Sequence, residues 1–140
     1  MVQGMGGLPA ERARGVLVGV QTLGLRASVH FAREGGRILF GSDTPSAPTY
    51  ANPPGYNGYL ELRELEAAGI SPRQLLAAAT TENARFFGLA DYGTIDAGKV
   101  ASLLLLRDDP LASTAAFDTI EMVMVKGRVV ERGALSAAGR

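Results

Sequence analysis

A short apolar run that leads to a carboxylate constrains this chain more than any other stretch. Ile38–Phe40 is apolar without alternation, which is typical of a β-strand covered on both faces. Asp43 follows three residues later, and a loop rich in proline and glycine occupies 45–58. In parallel α/β folds, side chains at the carboxyl ends of buried strands line the ligand crevice. We therefore expect an α/β fold with Asp43 in its functional site.

Composition excludes several classes of protein. The 140 residues include 14 basic and 14 acidic side chains, so no positive field favours nucleic acid. The absence of cysteine excludes disulfides, thiolate nucleophiles and cysteine-type zinc sites. No apolar stretch is long enough for a membrane span, and the N-terminus lacks the basic start of a secretory signal. The compartment stays open, with the cytoplasm favoured.

Apolar periodicity predicts a helical first half. Helices are expected at 11–34, at 59–68, from 72 to 79, and from a cap at Thr80 or Thr81 up to Gly88. Ser71 and Gln74 have the spacing of a capping box, with proline at the first helical position. The first helix has an apolar stripe that includes Leu23 and Phe31. His30, the only histidine, lies on that stripe, and we interpret it as a satisfied, partly buried residue rather than a metal ligand.

After Gly88 the sequence period changes to that of strands. Strands are expected at 93–95, at 100–106, and as a hairpin of 120–125 and 128–130. Lys126 and Gly127 would form the hairpin turn. Glu82 and Lys99 are interpreted as solvated helix and turn residues.

Three segments in this order resemble the C-terminal part of the amidohydrolase superfamily, in particular its imidazolonepropionase-like and prolidase-like metal-dependent hydrolases. The segments are Phe40–Pro45, Ala79–Leu89, and Gly93–Leu103 with Val123–Arg128 downstream. They are similar to the eighth strand of the barrel, the helix that follows the barrel, and the return of the chain into a small β-domain. Ser102 departs from the pattern, since the family usually has an aspartate there.

The resemblance implies a fold and its division. It implies a C-terminal fragment of a (β/α)8 TIM barrel, with the last strand and the following helices, plus the C-terminal strands of a small β-sandwich domain. The barrel part would span 1–89 and the β-domain 90–133, and a flexible tail would occupy 134–140.

The resemblance also implies chemistry. An aspartate at the position of Asp43 would bind the active-site metal, take a proton from the attacking water and pass it to the leaving nitrogen. A bound divalent ion lowers the pKa of its water toward about 7, and a nearby carboxylate completes the deprotonation. Tyr50, Tyr56 and Asn57 lie in the loop where substrate would lie, although aromatic packing of that loop is an equal alternative.

The missing ligands decide how the chain would act. A catalytic zinc site needs about three protein ligands, and the sequence holds one histidine and about one barrel strand. We expect a hydrolase of carbon–nitrogen bonds in amides, cyclic amides or dipeptides. This chain would supply its last third and be inactive alone, with zinc held by ligands from elsewhere. A truncated gene, a fragment, or a second chain or copy that supplies the rest all fit.

Two other classes of protein are alternatives. The chain could be a non-catalytic remnant or an interaction subunit that completes a split barrel, because a lone barrel strand presents an unpaired edge. A flavodoxin-like small-molecule binder is disfavoured, since no glycine-rich phosphate loop follows a first strand.

Overall fold

The computed structural model describes residues 10–44 and 55–131, with the side chains of 22–44 and 55–131. The helices are α1 (Ala10–Arg33), α2 (Tyr56–Ala67), α3 (Pro72–Ala77) and α4 (Asn83–Phe86), with a π-helical segment at Ala78–Glu82 and a 3₁₀ helix at Thr114–Thr119. The strands are β1 (Leu103–Leu106), β2 (Ile120–Val125) and β3 (Arg128–Val130). Tyr50 and the tail at 134–140 lie outside the described residues. Within the described part, no helix combines the length and the apolar character that crossing a membrane requires.

The α1 helix ends as predicted but packs through another face. Gly35, with φ at 80°, follows its last turn. Leu23 and Phe31 of the predicted stripe are 71% and 54% exposed, whereas Val29 and Ala32 are buried. The predicted stripe was therefore wrong in this half of the helix. Apolar spacing identifies candidate faces, but the position of the neighbouring helices selects the one that is buried.

The chain from Pro72 to Phe86 is helical throughout. The predicted capping box is present. The backbone N–H of Gln74 donates to the Ser71 hydroxyl at 3.3 Å, and the backbone N–H of Ser71 donates to Gln74 Oε1 at 3.3 Å. The predicted cap at Thr80 or Thr81 was wrong. Both threonine hydroxyls donate to carbonyls one turn earlier, Thr80 to Leu76 at 2.6 Å, inside the π-helical segment. A threonine can satisfy its hydroxyl this way without ending a helix.

The three strands form one antiparallel sheet in the order β1-β2-β3. The predicted hairpin is confirmed, with Lys126 and Gly127 at φ 49° and 79° in its turn. The predicted strand at 93–95 was wrong, because Gly93 has φ at 90° and approaches Ala84 so closely that a Cβ would lie 2.6 Å from the Ala84 methyl. The next strand begins at Leu103 instead of residue 100, after a turn in which the Ser102 amide donates to the Val100 carbonyl at 2.8 Å.

The core lies among the helices. Its buried members are Val29, Ala32, Leu62, Ile70 and Leu75, and its partly buried neighbours are Ile38, Phe40, Leu65, Ala68 and Phe117. The sheet is less covered, since Leu104, Leu105 and Val129 are each about half exposed.

The predicted strand at 38–40 was wrong, because these residues belong to no sheet among the described residues. A strand is defined by its ladder of hydrogen bonds, and here the backbone bonds go to helices. The Phe40 amide donates to the carbonyl of Ala78 at 3.4 Å, and the Phe40 carbonyl accepts from Asn83 Nδ2 at 2.7 Å. We call residues 37–44 the anchored segment.

Candidate functional site

Asp43 lies near the end of the anchored segment in a conformation that non-glycine residues seldom adopt. Its φ is 45°, in the left-handed region, and its side chain is exposed. For an L-residue this region costs roughly 1–2 kcal/mol, less for aspartate, whose short side chain tolerates it. Such conformations persist only where the surroundings impose them, and they cluster at functional sites.

The side chain of Asn57 holds Asp43 in this conformation. Its Nδ2 donates to the Ser42 carbonyl at 3.3 Å and to Thr44 Oγ1 at 2.8 Å, so one amide group binds the residue on each side of Asp43. The Thr44 hydroxyl in turn donates to the Ser42 carbonyl at 3.1 Å. Gly58 faces the same segment, and a Cβ there would make ordinary van der Waals contact, at 3.7 Å, with the Ser42 and Phe40 side chains.

The placement of Tyr56 and Asn57 in a loop was wrong. Both belong to the first turn of α2, since that helix begins three residues earlier than the periodicity indicated. Tyr56 is 59% exposed and its ring centroid lies 6.2 Å from that of Tyr59. Their role toward substrate stays a prediction.

The other end of the anchored segment is held by the helical run of α3 and α4. Arg37 Nε donates to Glu82 Oε2, and Glu82 also lies 3.7 Å from the Arg85 guanidinium. The Glu82 side chain is only 18% exposed, so its interpretation as a solvated residue was wrong. Asn83 Oδ1 is buried and accepts no hydrogen bond from the described residues, while its Nδ2 holds the Phe40 carbonyl.

A second polar cluster joins α2 to the 3₁₀ helix. Glu66 Oε2 accepts hydrogen bonds from the Thr114 hydroxyl, from the Thr114 amide at 3.0 Å and from Arg63 Nη1 at 3.0 Å. These donors, the Thr114 hydroxyl first, hold the pKa of Glu66 below its ordinary value. Five residues earlier on α2, partial burial raises the pKa of the Glu61 carboxyl.

Tyr59 connects the same two elements. Its hydroxyl donates to Asp118 Oδ2 at 2.5 Å, and this hydrogen bond to a carboxylate raises the pKa of the phenol. This hydrogen bond and those of Glu66 attach α2 to the 3₁₀ helix. The first turn of α2 contains Asn57, which binds the residues on both sides of Asp43.

The described residues do not by themselves fit a metal ion. They contain no group of three or more histidine, cysteine, aspartate or glutamate side chains placed to bind one. His30 is exposed on α1 and lines a cavity to which Asp43 does not contribute. The interpretation of His30 as satisfied and partly buried was therefore wrong, because its imidazole has no partner among the described residues.

Sequence reasoning missed Asn83 and Glu82 as anchors and did not anticipate the bracing by Asn57. A signal was available for Asn83 and Glu82, since both lie in a segment that resembled the family. No periodicity argument could assign their partners, which lie 43 and 45 residues away in the chain.

The comparisons with known proteins identify the class. The amidohydrolase family model matches residues 22–130, and the chain belongs to this family, which is built on the TIM barrel and generally uses divalent metals. A "putative prolidase" from Bifidobacterium longum is 34% identical over 77% of this chain, with a TM-score of 0.66. Molinate hydrolase is 27% identical over 58% of the chain, with a TM-score of 0.54.

A third solved structure supports the fold alone. A Xaa-Pro dipeptidase with bound methionine in the active site is 21% identical over 76% of the chain, with a TM-score of 0.61. The chain spans only 18% to 26% of the lengths of these three structures. No curated protein matches it.

Proposed function

We propose that this chain is the C-terminal portion of a hydrolase of carbon–nitrogen bonds and that Asp43 is its catalytic carboxylate. The observation that supports this most is the bracing of Asp43: a strained aspartate held on both sides by the Asn57 amide, in a chain of the amidohydrolase family. The anchored segment would be the last barrel strand. Residues up to 89 would complete the barrel, and 90–133 would belong to the small β-sandwich domain.

Asp43 would hold two roles in this site. Its carboxylate would be one ligand of a divalent metal, with zinc expected, and would accept the proton of the attacking water. The remaining ligands would come from outside the described residues, since these supply too few donors. Amides, cyclic amides and dipeptides are the proposed substrates, and the putative prolidase among the similar structures supports dipeptides. Tyr50, Tyr56 and Asn57 remain candidates for the substrate side of the site.

Complementation tests this function. The full chain is mixed with a polypeptide that contains the part of the Bifidobacterium longum protein that this chain does not cover, and hydrolysis of Xaa-Pro dipeptides is followed with added zinc. We expect neither piece to be active alone and the mixture to be active. Asp43→Asn should lower the rate by at least about 100-fold, because general base catalysis contributes 10²–10⁴. Asp96→Asn, in an exposed turn, is the matched control.

Zinc affinity tests the ligand count separately. Calorimetric titration of the chain alone should show only weak zinc binding. Micromolar or tighter affinity that Asp43→Asn abolishes would contradict the proposal that most ligands come from elsewhere.

One observation favours a second function, that of a non-catalytic interaction subunit. Ile95, Phe86 and Phe87 are 86%, 67% and 65% exposed, which is an unusual amount of apolar surface for a free domain. Such a subunit would assemble with the complementing polypeptide, or with itself, without hydrolysis. Sedimentation of the same mixture distinguishes the two functions: assembly without activity in any mixture supports the subunit. A monodisperse monomer with cooperative unfolding counts against it.

A further inference from the structure

A cavity of about 360 Å³ lies between the C-terminal half of α1 and the end of α2. Three of its lining side chains are basic, namely Arg26, His30 and Arg33, and three are apolar, namely Leu25, Val29 and Ala68. We call it the basic cavity. Its volume is in the range of small-molecule sites. No residue of the anchored segment lines it.

The spacing of the three basic residues brings their side chains together. His30 follows Arg26 by four residues and precedes Arg33 by three, so all three lie on one face of α1, with His30 between the two arginines. Within the part of the chain that the structure describes, none of the three side chains forms an ion pair or a hydrogen bond, and no carboxylate lines the cavity. Two permanently charged guanidinium groups beside an imidazole, without a counter-charge, favour an anion.

The C-terminus of α1 does not account for this arrangement. Cations near a helix C-terminus interact favourably with its dipole, but the effect fades within the last turn, and Arg26 lies two turns before the end. The last carbonyls also have other partners. The Ala32 carbonyl accepts from Gln74 Nε2 at 3.0 Å, and the His30 carbonyl accepts from the Glu34 amide at 3.0 Å.

The apolar part of the lining narrows the ligand class. Val29 is 8% exposed and Leu25 is half-buried, so the wall beside the basic side chains is apolar except for Thr22. We propose that the basic cavity binds a small organic oxyanion. Its phosphate or carboxylate faces Arg26, His30 and Arg33, and a compact apolar body lies against Leu25 and Val29. This site does not depend on Asp43 or on hydrolase activity.

An NMR titration tests the proposal. Each probe is added to the full ¹⁵N-labelled chain, and the chemical shifts of the backbone amides are measured. The probes are phenyl phosphate and benzoate, which combine an oxyanion with an apolar ring, and inorganic phosphate and phenol, which each supply only one of these. We expect at least one aryl anion to shift the amides of 22–33 and 68–69 saturably, with a dissociation constant on the order of 1 mM. Inorganic phosphate and phenol should each bind at least about tenfold more weakly. Preference for phenyl phosphate or for benzoate identifies the acid group.

Variants then separate a built site from general surface charge. Arg26→Gln with Arg33→Gln should weaken binding by about tenfold or more, because charge-assisted hydrogen bonds are lost. Arg128→Gln, an exposed cation on β3, is the matched control and should leave binding unchanged. Should the double variant lose its native amide spectrum, His30→Gln alone should still weaken binding by about threefold.

Three results would overturn the proposal. One is the absence of saturable shifts with both aryl anions, and another is binding of inorganic phosphate as tight as that of either. The third is weakening by Arg128→Gln as large as that by the double variant.

Discussion

The helical layer and the three-stranded sheet are held together in different ways. In the helical layer, Leu75 is 1% exposed and Ile70 is 2% exposed, and polar anchors such as Asn57 and Glu66 join elements distant in the sequence. In the sheet, Leu104 and Val129 are 49% and 55% exposed, and contacts are mainly between neighbouring strands. The difference indicates that the stability and geometry around Asp43 come from the helices, while the sheet leaves much of its apolar surface exposed.

Leucine truncation should give the largest contrast between the two regions. Leu75→Ala creates a cavity in the core and should lower the free energy of unfolding by about 2–5 kcal/mol. Leu104→Ala, the same substitution on the half-exposed β1, should cost less than about 1.5 kcal/mol, since less apolar area returns to water. Urea denaturation of both variants measures the difference. Equal losses would mean that the sheet is as well covered as the helices.

Neutralising one carboxylate in each region should give a smaller difference in the free energy of unfolding. Glu66→Gln weakens the bonds from Thr114 and Arg63 and should cost about 1–3 kcal/mol at pH 7. Glu121→Gln removes the exposed pair with Arg107 on the sheet, where Nε and Oε1 are 3.1 Å apart, and should cost at most about 1 kcal/mol. Thermal unfolding at pH 7 compares them.

The pH dependence sharpens that prediction. The pKa of Glu66 is lowered in the folded state. Its contribution to the free energy of unfolding is therefore complete at a pH above the ordinary pKa of glutamate, and it is lost as the pH falls through the pKa of the folded state. Glu66→Gln should flatten this acid limb. Glu61 acts in the opposite direction, because its raised pKa favours the protonated form in the fold and opposes folding as pH rises. Glu61→Gln should therefore raise stability at pH 7. A steeper acid limb in Glu66→Gln would contradict the assignment.

The smallest expected effect concerns the two described non-glycine residues with positive φ, one in each region. Asp43→Gly and Lys126→Gly both remove a left-handed strain and should each stabilise by up to about 1 kcal/mol. We expect Asp43→Gly also to abolish activity in the complementation assay, whereas Lys126→Gly should leave it unchanged. Loss of activity in both would show that the hairpin turn, as well as Asp43, serves the site.

Local sequence chemistry predicted those parts of the fold that depend on near neighbours. The capping box at Ser71 and Gln74 and the hairpin turn at Lys126 and Gly127 were both confirmed, because each needs only contacts within a few residues. The 3₁₀ helix at 114–119 was not predicted, since it depends on Glu66, 48 residues earlier in the chain, to bind Thr114.

Long-range partners explain the remaining errors. The apolar run at 38–40 indicated a strand, but its backbone groups bond to Ala78 and Asn83, and strand identity requires a neighbouring strand. His30 was expected to be satisfied because of its spacing, whereas the buried face of α1 was selected by its neighbours.

By itself, the sequence determined the order of the helices, the capping box at Ser71, the hairpin with its turn, the membership in the amidohydrolase family and the choice of Asp43 as the residue to examine. These follow from side-chain chemistry over short spans and from matched motifs. Only the tertiary structure decided that Asn57 braces Asp43, that Glu82 and Asn83 hold the anchored segment, and that the face of α1 with Arg26, His30 and Arg33 borders a cavity together with Ala68. Hydrogen bonds and burial between residues tens of positions apart are set by packing, which leaves no periodic trace in the chain.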